Sequence, residues 1–167
     1  MKKIKIYFFL FICTFFNLAH STEYGIGVGV NNYNYYIYFP INIKESEYRV
    51  EPMMYYSDYT TTYDNTYGKE YGLGIGFFKV FSQTSNTKLY VGPRLNYSVN
   101  EGDSAGYIKT TAYGVSPTLG FEYYLAENFT LGGEVYLTFY KSSGTNGTIV
   151  NQKSTGTMVT MKYYFKQ

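Results

Sequence analysis

Beyond its first twenty residues the chain has no apolar run approaching the roughly 18–20 residues of a membrane helix. A membrane crossing by helix is therefore excluded there. Cysteine and histidine occur once each, as Cys13 and His20, both near the N-terminus. The rest of the chain thus has no disulfide, no thiol nucleophile and no imidazole for acid–base work. Charge is sparse, at 16% of residues, and proline occurs only four times. No helical 3.6-residue periodicity is sustained. In contrast, tyrosine (23 residues) and glycine (17 residues) are abundant, which favours an all-β chain.

The N-terminus reads as an export signal. Lys2, Lys3 and Lys5 make a basic end, Ile6 to Phe16 is apolar, and Ala19-His20-Ser21 places small residues at a cleavage site after Ser21. The apolar run is too short for an anchor. The bulky Phe11 and Ile12 before Cys13 are unlike a lipoprotein signal. Residues 1–21 are thus expected to be removed, leaving one domain over 22–167. Loss of the three lysines leaves 11 basic against 12 acidic residues, a balance that excludes a nucleic-acid binder on charge grounds.

From Tyr107 onward every second residue shares a character. Tyr107, Lys109, Thr111, Tyr113, Val115, Pro117, Leu119, Phe121, Tyr123 and Leu125 form one set. The intervening residues are small, polar or charged. After Ala126-Glu127-Asn128 the pattern resumes with Phe129, Leu131, Gly133, Val135, Leu137 and Phe139. Strict alternation means strand, because side chains change face at every residue. One large apolar face and one small polar face suit a strand between lipid and a filled polar interior.

Eight strands are expected, over residues 24–31, 35–43, 48–59, 67–81, 88–99, 107–125, 129–140 and 155–166. Short turns are expected at 44–47, 82–87 and 126–128, and longer loops at 60–66, 101–106 and 142–154, the last being the longest. An even count with short turns at one end and long loops at the other predicts an antiparallel up-and-down transmembrane barrel with both termini periplasmic. Pro40, Pro52, Pro93 and Pro117 all fall inside these strands, where each removes a donor, so bulges or rim positions are expected there. Lys79 and Lys109 point outward near opposite rims. Tyr97, Tyr107, Tyr113, Tyr123, Tyr163 and Phe165 are expected to form interfacial girdles.

This pattern resembles the small eight-stranded bacterial outer-membrane barrels, the class of OmpX and of the transmembrane part of OmpA. The resemblance covers essentially all of residues 22–167. It includes an assembly signal at the C-terminus, carried here by Tyr163 and Phe165, although Lys166 and Gln167 follow the aromatic and Thr160 stands where glycine is usual. The resemblance implies outer-membrane lipid and the barrel-assembly machinery as partners, and a monomer.

Arg49, Glu51, Arg94, Glu122, Glu134 and Lys162 all fall on the inward face. Three acids and three bases in a lumen narrow enough to be filled by side chains predict an interlocked salt-bridge network. It serves either as a structural plug or as a gate whose pairs exchange to open a narrow ion path. The Gly25-Ile26-Gly27-Val28-Gly29 and Gly72-Leu73-Gly74-Ile75-Gly76 repeats have neither the spacing nor the lysine of a nucleotide loop; at period two they make room for inward side chains. Outer-membrane acylases, deacylases and proteases use histidine, so no catalytic, cofactor-binding or metal residue is assigned. The expected role is structural or adhesive, towards a surface ligand or host protein, through outer loops and strand ends that rise above the lipid. The alternatives are the ion pore and a soluble exported barrel binding a small apolar ligand.

Overall fold

The structure, a computed structural model, describes residues 22–31, 34–43, 46–61, 66–82, 84–103, 107–144 and 149–165. The expected export signal at 1–21 and the last two residues lie outside them. The strands are β1 (Thr22–Val30), β2 (Tyr35–Tyr38), β3 (Ile41–Ile43), β4 (Tyr48–Thr61), β5 (Thr66–Ser82), β6 (Thr87–Asp103), β7 (Tyr107–Ala126), β8 (Phe129–Gly144) and β9 (Ile149–Phe165). β2 and β3 are two halves of one stave, split at Phe39-Pro40, and both pair with β1 and β4. The Gly25 amide still donates to the Pro40 carbonyl at 2.9 Å, and the Phe39 amide to the Pro52 carbonyl at 2.9 Å. Each stave pairs antiparallel with the next, and β1 closes on β9 from Tyr24↔Phe165 to Val30↔Val159. The result is a closed, all-β, eight-stave antiparallel barrel, as the alternation predicts.

The prolines behave differently from expectation. None coincides with a change of register; the one shift among the described ladders lies between Tyr124 and Ala126, at a tight turn. Pro93 and Pro117 sit directly opposite each other in the β6–β7 ladder, which runs unbroken through them. An antiparallel residue directs its N–H to one neighbour only. Each proline nitrogen therefore points away from its partner, Pro93 towards β5 and Pro117 towards β8. The β5–β6 and β7–β8 ladders lack pairs at those places. The missing donors are absorbed as ladder gaps, with no bulge.

The loops also differ. β8 continues to Gly144 and β9 begins at Ile149, paired from Ser143↔Ile149 onward. The segment 142–154, expected as the longest loop, is therefore mostly strand. Likewise β4–β5 pair out to Thr61↔Thr66 and β6–β7 to Asp103↔Tyr107. These extensions are rich in Thr, Ser, Asn and Gln. They lack an apolar face, so their strand character shows only in the continued pairing.

Outward faces are apolar over the middle of every stave: Val28, Ile37, Met54, Leu73, Leu95, Leu119, Val135 and Val159 are all exposed. Aromatics flank this band. Tyr35, Tyr56, Tyr71, Tyr97 and Tyr113 lie towards the end bearing the extended hairpins, and Tyr24, Tyr48, Tyr123, Tyr163 and Phe165 towards the end bearing the tight turns. The Tyr107 side chain lies outside the described residues. Tyr113 and Tyr123 are ten positions apart on β7, roughly 33 Å along the strand, or about 25 Å along the axis at the ~40° tilt of such barrels. Lys79 is exposed beside Glu47 at 3.1 Å, and Lys109 beside Glu101 at 3.1 Å.

Candidate functional site: the charged lumen and its vestibule

Inward positions alternate with the apolar band, so charge placed there is withdrawn from both lipid and bulk water. Arg49 and Glu51 project from β4, Arg94 from β6, Glu122 from β7, Glu134 from β8 and Lys162 from β9. All six are at most 3% exposed. Taking two such charges out of water costs several kcal/mol per ion unless geometry and hydrogen bonds compensate. Here they do. Arg49 holds Glu122 in a two-pronged pair, Nη1 to Oε1 at 2.6 Å and Nη2 to Oε2 at 2.8 Å. Arg94 does the same to Glu134, at 2.7 and 3.0 Å, and also donates to Glu51 at 2.9 Å. Lys162 bridges the two halves, donating to Glu51 at 2.5 Å and lying 3.0 Å from Glu122.

The six residues thus form one chain of alternating sign: Arg49, Glu122, Lys162, Glu51, Arg94, Glu134. Arg49 also approaches Glu51 at 3.8 Å. Aromatic side chains complete the shell. The Tyr90 hydroxyl donates to Glu134 at 2.7 Å, and the Tyr164 hydroxyl to Glu122 at 3.1 Å. Arg49 and Lys162 lie over the Tyr90 ring at 4.9 and 5.0 Å, and Arg94 over Phe78 at 5.2 Å. Sequence reading finds the ionic members but not Tyr90, Tyr164, Phe78 or Asn42. Asn42 accepts from Arg49 Nε at 2.8 Å and donates to Glu23 at 2.7 Å. Inward parity was the only available signal for them.

Glycine makes the space for these rings. A Cβ on Gly120 would collide with the Tyr90 ring, and one on Gly72 would lie 2.5 Å from that of Tyr55. Tyrosine rings, more than arginines, occupy the room that the period-two glycines create.

Beyond the network, towards the extended hairpins, Tyr38, Met53 and Met158 form a small apolar layer. Above it opens a cavity of about 720 Å³ lined by polar and aromatic side chains, running from Arg94 and Met158 to Gly144 and Val150. Among the described residues, no group of histidine, cysteine or acidic side chains could hold a metal ion. Tyr163 and Phe165 face outward at the turn end, their rings edge-to-face at 5.5 Å.

In solved structures the same architecture recurs. The crystal structure of Neisserial surface protein A matches with a TM-score of 0.63 and 16% identity, over 87% of this chain and 95% of that one. The fold is that of a small outer-membrane barrel. A major outer membrane protein from Thermus thermophilus matches with a TM-score of 0.54 and 10% identity, over 86% and 99% of the two chains. No family model and no curated protein matches the sequence.

Proposed function

We propose that this chain is an outer-membrane barrel whose lumen is closed by the six-residue network and whose extended hairpins form a surface for interaction outside the cell. The tight-turn end, where β1 starts and β9 stops, then faces the periplasm. The apolar band with its two aromatic rims supports the lipid setting. A soluble barrel holding an apolar ligand needs the opposite arrangement, an apolar lumen inside a polar exterior.

One observation carries the interaction reading. β1 ends opposite Val159, so among the described residues Ile149–Met158 of β9 pair only with β8. Among the described residues Ser57–Thr61 of β4 likewise pair only with β5, because β2 ends opposite Tyr56. The staves β4 to β9 therefore continue past the closed barrel as an open sheet with two free edges. A free edge is a row of unpaired amides and carbonyls ready to take a further strand. Of the outward side chains of this region, Lys141, Asn151 and Lys153 are polar and exposed, and Ile149 is apolar and exposed.

The test uses single cysteines, since the chain after residue 21 contains none. On intact cells, Asn151→Cys is expected to react with a membrane-impermeant maleimide, and Ser46→Cys only after the outer membrane is opened. The reverse labelling would overturn the orientation. A strand-blocking Thr155→Pro that left cell or ligand adhesion unchanged would overturn the interaction role.

The gated pore is the second reading, favoured by Lys162 lying between two carboxylates. It predicts a single-channel conductance that changes in Glu122→Gln, and the absence of current in the intact protein would remove it.

A further inference from the structure

We propose that the cavity above the charged network is a binding site for a neutral saccharide of one or two rings. Its volume of about 720 Å³ falls within the roughly 300–1,000 Å³ of small-molecule sites. Its lining selects the chemistry. Among the described residues Arg94 is the only cation and Glu70 the only carboxylate lining it. Arg94 is already answered by Glu134 and Glu51, so an anionic ligand finds no uncompensated positive charge.

What remains is a dense set of amides and hydroxyls beside tyrosine rings. Asn96 Nδ2 donates to Ser116 Oγ at 2.7 Å, and Ser116 Oγ lies 2.8 Å from Thr138 Oγ1. This makes a polar rung across β6, β7 and β8. On the facing wall Asn31 Nδ2 holds the hydroxyls of Tyr36 and Tyr136, each at 3.0 Å. Tyr36 and Tyr55 pack at 5.3 Å between centroids, and the Tyr55 hydroxyl is oriented by Glu70 at 3.1 Å. Tyr36 is buried and backs the site, whereas the half-buried Tyr55 and Tyr136 rings line the cavity and offer apolar surface to the C–H face of a sugar, with amides and hydroxyls to exchange hydrogen bonds with its OH groups. At the floor, Arg94 is 3% exposed and its Nε has no acceptor among the described residues.

Methionine supplies the readout. Met53 and Met158 lie at the floor, 6% and 4% exposed, while Met54 and Met161 face outward. The barrel, carrying ¹³C-methyl methionine in lipid nanodiscs, is titrated with maltose and with N,N′-diacetylchitobiose. Saturable shifts of the Met53 and Met158 methyl signals with at least one disaccharide, while Met54 and Met161 stay fixed, support the site. Asn96→Leu is expected to weaken that binding by about ten-fold or more. Folding of the variant is checked by its gel shift on heating, and Thr138→Leu replaces it if it fails. Three results overturn the proposal: no shift with either disaccharide, a shift that grows without saturating, or a response to tetramethylammonium alone.

Discussion

Glu122 shows how a single side chain carries weight here. It receives both prongs of Arg49, lies 3.0 Å from Lys162 and accepts from Tyr164. Glu122→Gln keeps the shape and removes the charge, leaving two buried cations short of a partner. Breaking a buried pair in this way costs about 3–5 kcal/mol, so a clear fall in the urea midpoint of the folded barrel is expected. Gly120→Ala tests the steric side of the same layer, because its new Cβ runs into the Tyr90 ring. Overpacking of this kind costs about 1–3 kcal/mol. A double-mutant cycle with Tyr90→Leu is expected to show coupling above about 0.5 kcal/mol; additive losses would mean that the ring is not what Gly120 accommodates.

At the scale of the strand, the apolar band and the extended hairpins obey different solvents. Leu119 lies near the middle of the apolar band on β7, 55% exposed. Leu119→Arg is expected to cost about 2–4 kcal/mol in lipid, read as a lowered unfolding midpoint in bilayers. Asn151→Arg, on the extended part of β9, is expected to stay within about 0.5 kcal/mol. Equal costs at the two sites would refute the lipid assignment. The free edge makes a second prediction. Along Ile149–Met158 every second amide lacks a strand partner, so hydrogen exchange there should alternate between fast and slow. In Val159–Tyr163, paired on both sides, it should be uniformly slow. Uniform protection throughout β9 would mean that the edge is covered.

For the whole molecule, closure is the decisive property. An eight-stave barrel with a filled polar interior unfolds as a unit, because no stave keeps its backbone bonds in lipid without its neighbours. The intact protein is expected to run as a compact band on SDS gels without boiling and to shift on heating. A single unshifting band would contradict closure. Thr155 lies both on the β9 edge and on the vestibule wall; Asn96→Leu, on β6 and remote from that edge, should impair saccharide binding and leave strand addition intact.

Alternation by itself determined most of this architecture. Period-two patterning assigns a side chain to lipid or lumen from its position alone, so Arg49, Glu51, Arg94, Glu122, Glu134 and Lys162 were legible as inward before any pairing was known. Which of them touch was not legible, because partners such as Arg49 and Glu122, 73 positions apart, are set by the shear between distant staves. The prolines show the same division. Their presence in strands was plain, but only the register places Pro93 against Pro117 and turns two missing donors into tolerated gaps. The polar strand ends Asn100–Asp103, Lys141–Gly144 and Ile149–Ser154 lacked the alternation that marks a strand in lipid. Their pairing is imposed by the hairpins below them, and only the tertiary structure could decide where the barrel ends and the open sheet begins.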